Sequence, residues 1–114
     1  MAKGNKKKKQ IRPPSNRPVA RLINSITISN LWLSILSLAK RGKIYAYTLP
    51  EKINEKFGFK PSRLLVYLVL YKLESEKLLS SKEDGQRKYY SLTKEGRNAL
   101  QDAKAILENR AGEL

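Results

Sequence analysis

Lysine and arginine dominate the chemistry open to this chain. They number 24 against 10 aspartates and glutamates, a formal charge of +14 over 114 residues, and cysteine and histidine are absent. Without thiols or imidazoles there is no cysteine nucleophile, no histidine base, no disulfide and no zinc site built on either residue. Glu83 and Asp84 fall on a polar turn and make no credible acid–base pair, and no glycine-rich phosphate loop occurs. No enzyme, metal or cofactor is expected. What remains is the attraction of ammonium and guanidinium groups for phosphate, which is strong and salt-dependent because each contact releases counterions.

The cations are not spread evenly. Lys3, Lys6, Lys7, Lys8, Lys9, Arg12 and Arg17 put seven positive charges and no acid into residues 1–18. Residues 19–82 carry eleven basic and four acidic residues, and residues 83–114 carry six of each. Half the excess therefore belongs to a segment with almost nothing apolar to bury, read as a disordered basic tail. The other half belongs to the folded part, read as one domain over 19–114, which makes a polyanionic partner a better reading than a solubility tag. The basic start is followed by Pro13, Pro14, Ser15, Asn16 and Pro18 instead of an apolar core, so it is no signal peptide. The longest apolar run, Leu64 to Leu73, is too short to cross a bilayer. A soluble cytoplasmic protein associated with the nucleoid and not with membrane is expected.

The elements that must hold these cations can be read from periodicity. Val19, Leu22, Ile23 and Ile26 recur at helical spacing behind Pro18. Ser29 is a candidate cap for a buried helix over 29–41, with Leu31, Trp32, Ile35, Leu36 and Ala39 on its apolar face and Gly42 as its stop. Lys43 to Tyr47 alternates as a very short strand would. Thr48-Leu49-Pro50-Glu51 has the form of a capping box, opening a helix that buries Leu49, Ile53 and Phe57 and ends at Gly58. Pro61-Ser62 starts the next helix, which runs to about Lys77 with Val66, Val69, Leu70 and Leu73 inward. Two short runs, Leu78 to Ser81 and Tyr89 to Leu92, flank a polar turn around Asp84-Gly85 and predict a β-hairpin. Thr93 caps a last helix with Leu100, Ala103, Ile106 and Leu107 inward, ending across Asn109 to Gly112.

Three helices, a hairpin and a helix is the plan of a winged helix-turn-helix, a mainly α (α+β) fold with a two-stranded wing and a C-terminal helix. In that plan the helix after the turn lies in a DNA major groove and the hairpin reaches an adjacent groove or the phosphates. LYKLESEKLL (70–79) and RKYYSLTKEGRNAL (87–100) resemble the third helix, wing and final helix of PadR-like transcriptional regulators, and LWLSILSLAKRGKIYAYTLPEKI (31–53) resembles their first two helices more loosely. The Tyr-Tyr-x-Leu-Thr-x-x-Gly block is the most specific part. MarR-type winged helices share its Leu-Thr-x-x-Gly end. The chain departs from the family in three places. Lys77 stands where the family usually has Gly. Pro61-Ser62-Arg63 replaces its Ser-Pro-Gly. The chain also stops at Leu114, without the longer C-terminal dimerisation region of many relatives, which favours a compact DNA-binding module.

On this reading double-stranded DNA is met by Lys60, Ser62, Arg63 and Tyr67 on the third helix, by Lys82, Gln86, Arg87 and Lys88 on the wing, and by Lys6, Lys7, Lys8 and Lys9 in the tail. The tail adds affinity more than specificity. LLVYLVLY is apolar almost all round, so Leu64, Leu68 and Tyr71 are either buried against another element or subunit, the favoured reading, or touch thymine methyl groups. Tyr67 and Tyr71 serve equally well as packing residues. The resemblance implies a homodimer, for which Val19, Leu22, Ile23, Ile26, Trp32, Leu100, Ala103 and Leu107 are the candidate interface. The function expected is that of a dimeric, sequence-specific transcriptional regulator. A DNA-spreading adaptor of the kind used in archaeal plasmid partition, with higher assembly on DNA, is the alternative. An RNA-binding, ribosomal-type protein is a more distant one.

Overall fold

The structure, a computed structural model, describes residues 13–114. Lys6 to Lys9 and most of the basic tail lie outside the described residues. The elements run α1 (Arg17–Ile26), α2 (Trp32–Ala39), β1 (Ile44–Tyr45), a single 3-10 turn (Ala46–Thr48), α3 (Leu49–Phe57), α4 (Arg63–Ser75), β2 (Leu79–Asp84), β3 (Arg87–Leu92) and α5 (Lys94–Glu113). This is the winged helix-turn-helix order: α3 and α4 form the helix-turn-helix and β2–β3 the wing. Gly58, at φ 81°, makes the left-handed turn that ends α3.

Apolar side chains from every layer meet in one core. Leu31, Ile35 and Leu36 come from the start and body of α2, Leu49 and Ile53 from α3, Val66, Leu70 and Leu73 from α4, and Leu79 from the first residue of β2. Leu100 of α5 and Tyr90 of β3 close it. β3 is the central strand of a three-stranded antiparallel sheet, because Ile44 and Tyr45 pair with Tyr90 and Tyr89 on its free edge. The very short strand expected near Lys43 is real, and it extends the wing from two strands to three.

The hairpin is tighter than expected. Its ladder continues to Asp84 opposite Arg87, leaving Gly85 and Gln86 as a two-residue turn. Gly85 takes φ 67° and Gln86 does not, the pattern of a type II′ turn.

Four helix ends differ from the sequence expectation. The Ser29 hydroxyl does not cap α2; it accepts from Asn24 Nδ2 at 2.9 Å within the loop that follows α1, and α2 begins at Trp32 with no side-chain cap. The capping box does not form. Thr48 sits in the αR region (φ −91°, ψ −7°), closing the 3-10 turn, and its hydroxyl donates to the Tyr45 carbonyl. A capping side chain needs an extended residue behind it. At the other end of the chain α5 runs through Gly112 to Glu113, so Ile106 and Leu107 pass beyond the core and are exposed. The first helix starts at Arg17, two residues before the expected domain boundary, with Asn16 accepting from the Val19 amide at 3.0 Å.

Lys77 takes a left-handed turn that ordinarily favours glycine. It is the one non-glycine residue with positive φ among the described residues, at 65°. The Lys77 amide donates to the Glu74 carbonyl and the Leu78 amide to the Leu73 carbonyl, both at 2.9 Å, which is the paired bonding of a Schellman C-cap. Thr93 then fastens α5 to the same spot. Its amide donates to the Leu78 carbonyl, and its hydroxyl donates to the Lys77 carbonyl at 2.7 Å while accepting from the Gly96 amide at 2.9 Å. The glycine of Leu-Thr-x-x-Gly is thereby explained. A Cβ at Gly96 would lie 2.1 Å from the Leu78 carbonyl oxygen.

Candidate nucleic-acid interface

Ser62 begins α4 with an extended backbone, and its side chain accepts from the Leu65 amide at 3.1 Å. This cap fixes where the helix begins. Val66, Leu70 and Leu73 go to the core, and positions 64, 67, 68, 71, 72 and 75 form the outward stripe. The expected burial of Leu64, Leu68 and Tyr71 against another element does not occur. They are 69%, 53% and 71% exposed, and Tyr67 beside them is 44% exposed. The helix is apolar on two faces, and the sheet with α2 and α3 is large enough to cover one.

The cations at the start of α4 are not loose. Arg63 lies over the Tyr47 ring, 4.4 Å from its centre, and donates to the Tyr47 carbonyl. Its other guanidinium nitrogen is 3.9 Å from Glu51, whose same oxygen is 3.3 Å from Lys60 Nζ. A bond from its own backbone amide, then the Lys60 contact, holds the Glu51 carboxyl below its ordinary range. Tyr47 and Glu51 were not singled out as site residues from sequence. Glu51 was assigned to the cap, and the charge pattern Glu51…Lys60, Arg63 was the signal that could have placed it here.

The wing carries Lys82, Gln86, Arg87 and Lys88 exposed, as expected of a turn, but the pleat divides them. Lys82 pairs with Tyr89 and Arg87 with Asp84, so those cations share one face. There Tyr89 and Tyr45 meet edge to face at 5.9 Å, with Lys43 over Tyr89 and Arg87 over Tyr45. Lys88 lies on the other face, opposite Glu83 and 3.7 Å from Glu74, an acid of α4 that also accepts from the Ser81 hydroxyl. The Tyr90 side chain, and after it Glu74, raises the Lys88 ammonium above its ordinary range. Between wing and helix lies an open cleft of about 550 Å³ walled by Tyr45, Tyr47, Tyr67, Tyr90, Arg87 and Lys88. Aromatic rings carrying cations at the mouth of a cleft offer flat apolar surface and phosphate-binding charge together.

The candidate dimer residues fall in different surroundings. Val19, Leu22 and Ile26 of α1 are exposed and Ile23 is half-buried, so α1 buries no residue in this chain. Leu100 and Ala103 lie inside the chain's own core, while Leu107 is exposed. Trp32 is half-buried against the core and forms the ridge between two apolar grooves of about 410 and 490 Å³, one running to Ile26 and Leu107, the other to Ile28 and Val69.

Comparison with known proteins places this arrangement. The model of the transcriptional regulator PadR-like family matches residues 35–102. A PadR family transcription regulator from hypervirulent Clostridium difficile is 28% identical, with a TM-score of 0.65 over 71% of this chain and 90% of its own. Bacillus subtilis PadR, solved in complex with operator DNA, is 26% identical with a TM-score of 0.55, covering 63% of this chain and 44% of its own. A winged-helix DNA-binding protein from STIV has the same fold at 17% identity and a TM-score of 0.62, over 71% of this chain and 88% of its own. A search of the curated proteins found no match.

Proposed function

The chain belongs to the PadR-like family of transcriptional regulators, and from that premise we propose that it binds double-stranded DNA as a homodimer, with α4 in the major groove and the wing on the flanking phosphates. The observation that carries this reading is the cleft between α4 and the wing. Its tyrosines and cations stand on the same side as the exposed stripe of α4, in a chain with a formal charge of +14. Lys60 and Arg63 at the helix start, and Lys82, Arg87 and Lys88 on the wing, take phosphates. Gln86 at the tip reaches a groove edge. Lys6 to Lys9 add sequence-independent affinity along the backbone. The homodimer forms through α1 and the outer half of α5, whose apolar side chains Leu22, Ile26, Ile106 and Leu107 find no cover within the chain. A two-fold dimer matches a palindromic operator, and such a regulator works at the nucleoid.

The test is nuclease footprinting on the DNA upstream of the protein's own gene, titrated from low to high protein at about 150 mM salt, where phosphate contacts alone no longer suffice. A short footprint of fixed length with two-fold symmetry is expected. A footprint that nucleates and then lengthens with concentration refutes a local regulator and assigns the chain to a DNA-coating role.

A further inference from the structure

We propose that the exposed stripe of α4 is a methyl-reading face, which selects DNA by the 5-methyl groups that thymines place in the major groove. The proposal rests on the DNA-binding reading above and names what that site reads.

The argument begins with what the helix lacks. Base edges are distinguished in the major groove by hydrogen-bonding side chains, Arg or Lys on guanine and Asn or Gln on adenine, or by apolar contact with the thymine methyl. Along the stripe at 64, 67, 68, 71, 72 and 75 stand two leucines, two tyrosines, a lysine and a serine, with no Asn, Gln, Asp or Arg. The one arginine of α4, Arg63, is turned away onto the Tyr47 ring and carbonyl and toward Glu51. The Ser62 hydroxyl is bound to the Leu65 amide. Glu74 is held by Ser81 and Lys88. Arg63, Ser62 and Glu74 are therefore engaged, and apart from Lys72 and Ser75 at its far end the stripe presents two leucines and two tyrosine rings.

Charge decides what covers this face. Lys60 stands before the stripe, Lys72 lies on it, and Arg87 and Lys88 stand across the cleft from Tyr67. An apolar strip framed by cations suits a groove that is lined with methyl groups and walled by phosphates. A second copy of this chain would bring the same cations against themselves. The scale also fits: Leu64 to Tyr71 rises about 10 Å along the helix, or about three base-pair steps at 3.4 Å each. Leu64, Leu68 and Tyr71 can each meet one methyl group in that span.

Deoxyuridine differs from thymidine by the methyl alone, so it removes this contact and keeps the base pair and every phosphate. The experiment measures binding of the full chain, by fluorescence anisotropy, to a mixed-order duplex of A and T only and to the same duplex with deoxyuridine at every thymine. Burying one methyl is worth roughly fourfold in affinity, so about three predict a loss on the order of fiftyfold, with the slope of log K against log salt unchanged. A Leu64→Ser/Leu68→Ser double variant keeps its fold, because both side chains are exposed, and is expected to retain only the roughly fourfold preference for thymine that Tyr71 supplies. A companion pair of G and C duplexes, with and without 5-methylcytosine, shows whether the face reads any 5-methylpyrimidine; a gain on methylation is expected. Equal binding of the parent to thymine and deoxyuridine DNA overturns the inference and leaves DNA binding standing. No binding to either overturns the DNA-binding reading itself. If the double variant lowers the oligomeric state in sedimentation without DNA, and the two duplexes bind alike, a second copy covers the face and the inference falls.

Discussion

Replacing Gly96 by alanine sets two effects of opposite sign against each other. Gly96 is the third residue of α5, and an interior helical Gly→Ala change by itself favours the helix by about 1 kcal/mol. Against that, the new Cβ would stand 2.1 Å from the Leu78 carbonyl oxygen and 2.7 Å from Leu92 Cδ1. Carbon and oxygen approach comfortably only to about 3.3 Å, so α5 must retreat by roughly an ångström. It cannot do so freely, since Thr93 binds the Lys77 and Leu78 carbonyls and also caps the Gly96 amide. Overpacking costs about 1–3 kcal/mol, and each hydrogen bond stretched adds about 0.5–1.5 kcal/mol. The net expectation is a loss of about 2–4 kcal/mol. At about 4–8 °C per kcal/mol for a domain of this size, the melting temperature falls by about 10–25 °C. Thermal melts followed by far-ultraviolet circular dichroism measure it. Gly112→Ala is the control, for nothing lies within 4 Å of a Cβ there, and it should melt at or slightly above the parent. If Gly96→Ala also melts at or above the parent, helix propensity outweighs the contact and the seam between α5 and Leu78 is not as described.

Lys77→Gly relieves a left-handed lysine that costs about 1–2 kcal/mol, part of which glycine's greater freedom in the unfolded chain takes back; a gain of about 0.5 kcal/mol in urea denaturation is expected, and a loss would show that the lysine stem contributes packing. Glu51→Gln frees Lys60 and Arg63, so the slope of log K against log salt for DNA should steepen by about one to two units; an unchanged slope means Arg63 stays on Tyr47 without its acid. Because the folded Glu51 carboxyl is held below its ordinary range, its pairing supports the fold above that range and is lost as pH falls through the lowered value. Its carbon-13 titration midpoint should lie below that of the same residue in urea, and equal midpoints contradict the pairing. Ile23→Glu and Leu107→Glu should each yield monomers by light scattering, and dimers from both exclude α1 and outer α5 as the interface.

Much of the fold was legible because local chemistry and burial agree. The stripe of Val66, Leu70 and Leu73, the glycine at 58, the Thr93 cap and the Asp-Gly turn each have one reading, and each holds. Sequence reasoning went wrong where two local readings compete. Ser29 and Thr48 are both good caps by type, but Asn24 engages one and the 3-10 turn before α3 fixes the other in the wrong backbone region. Gly112 has the type of a stop, but a glycine that costs about 1 kcal/mol does not break a helix of twenty residues. The candidate interface was legible only as charge. Lys60, Arg63 and the wing cations stand out by type, whereas the clamp of Arg63 on Tyr47 joins residues sixteen apart in the chain. α4 was the hardest case: its inward face reads correctly from the sequence, but the second apolar face of Leu64, Leu68 and Tyr71, expected to be buried, is exposed within the chain.

Thr93 joins two carbonyls at the end of α4 to the first turn of α5, and the base of the hairpin passes through the same point, Leu79 opposite Leu92. The wing is thus clamped at its root to the helix it works beside. The distance from wing tip to helix is set as in a caliper with a locked jaw. A duplex whose groove does not match that gap must itself bend or narrow to be held. On the DNA-binding reading proposed above, the stiffness of a site then enters its affinity along with its bases.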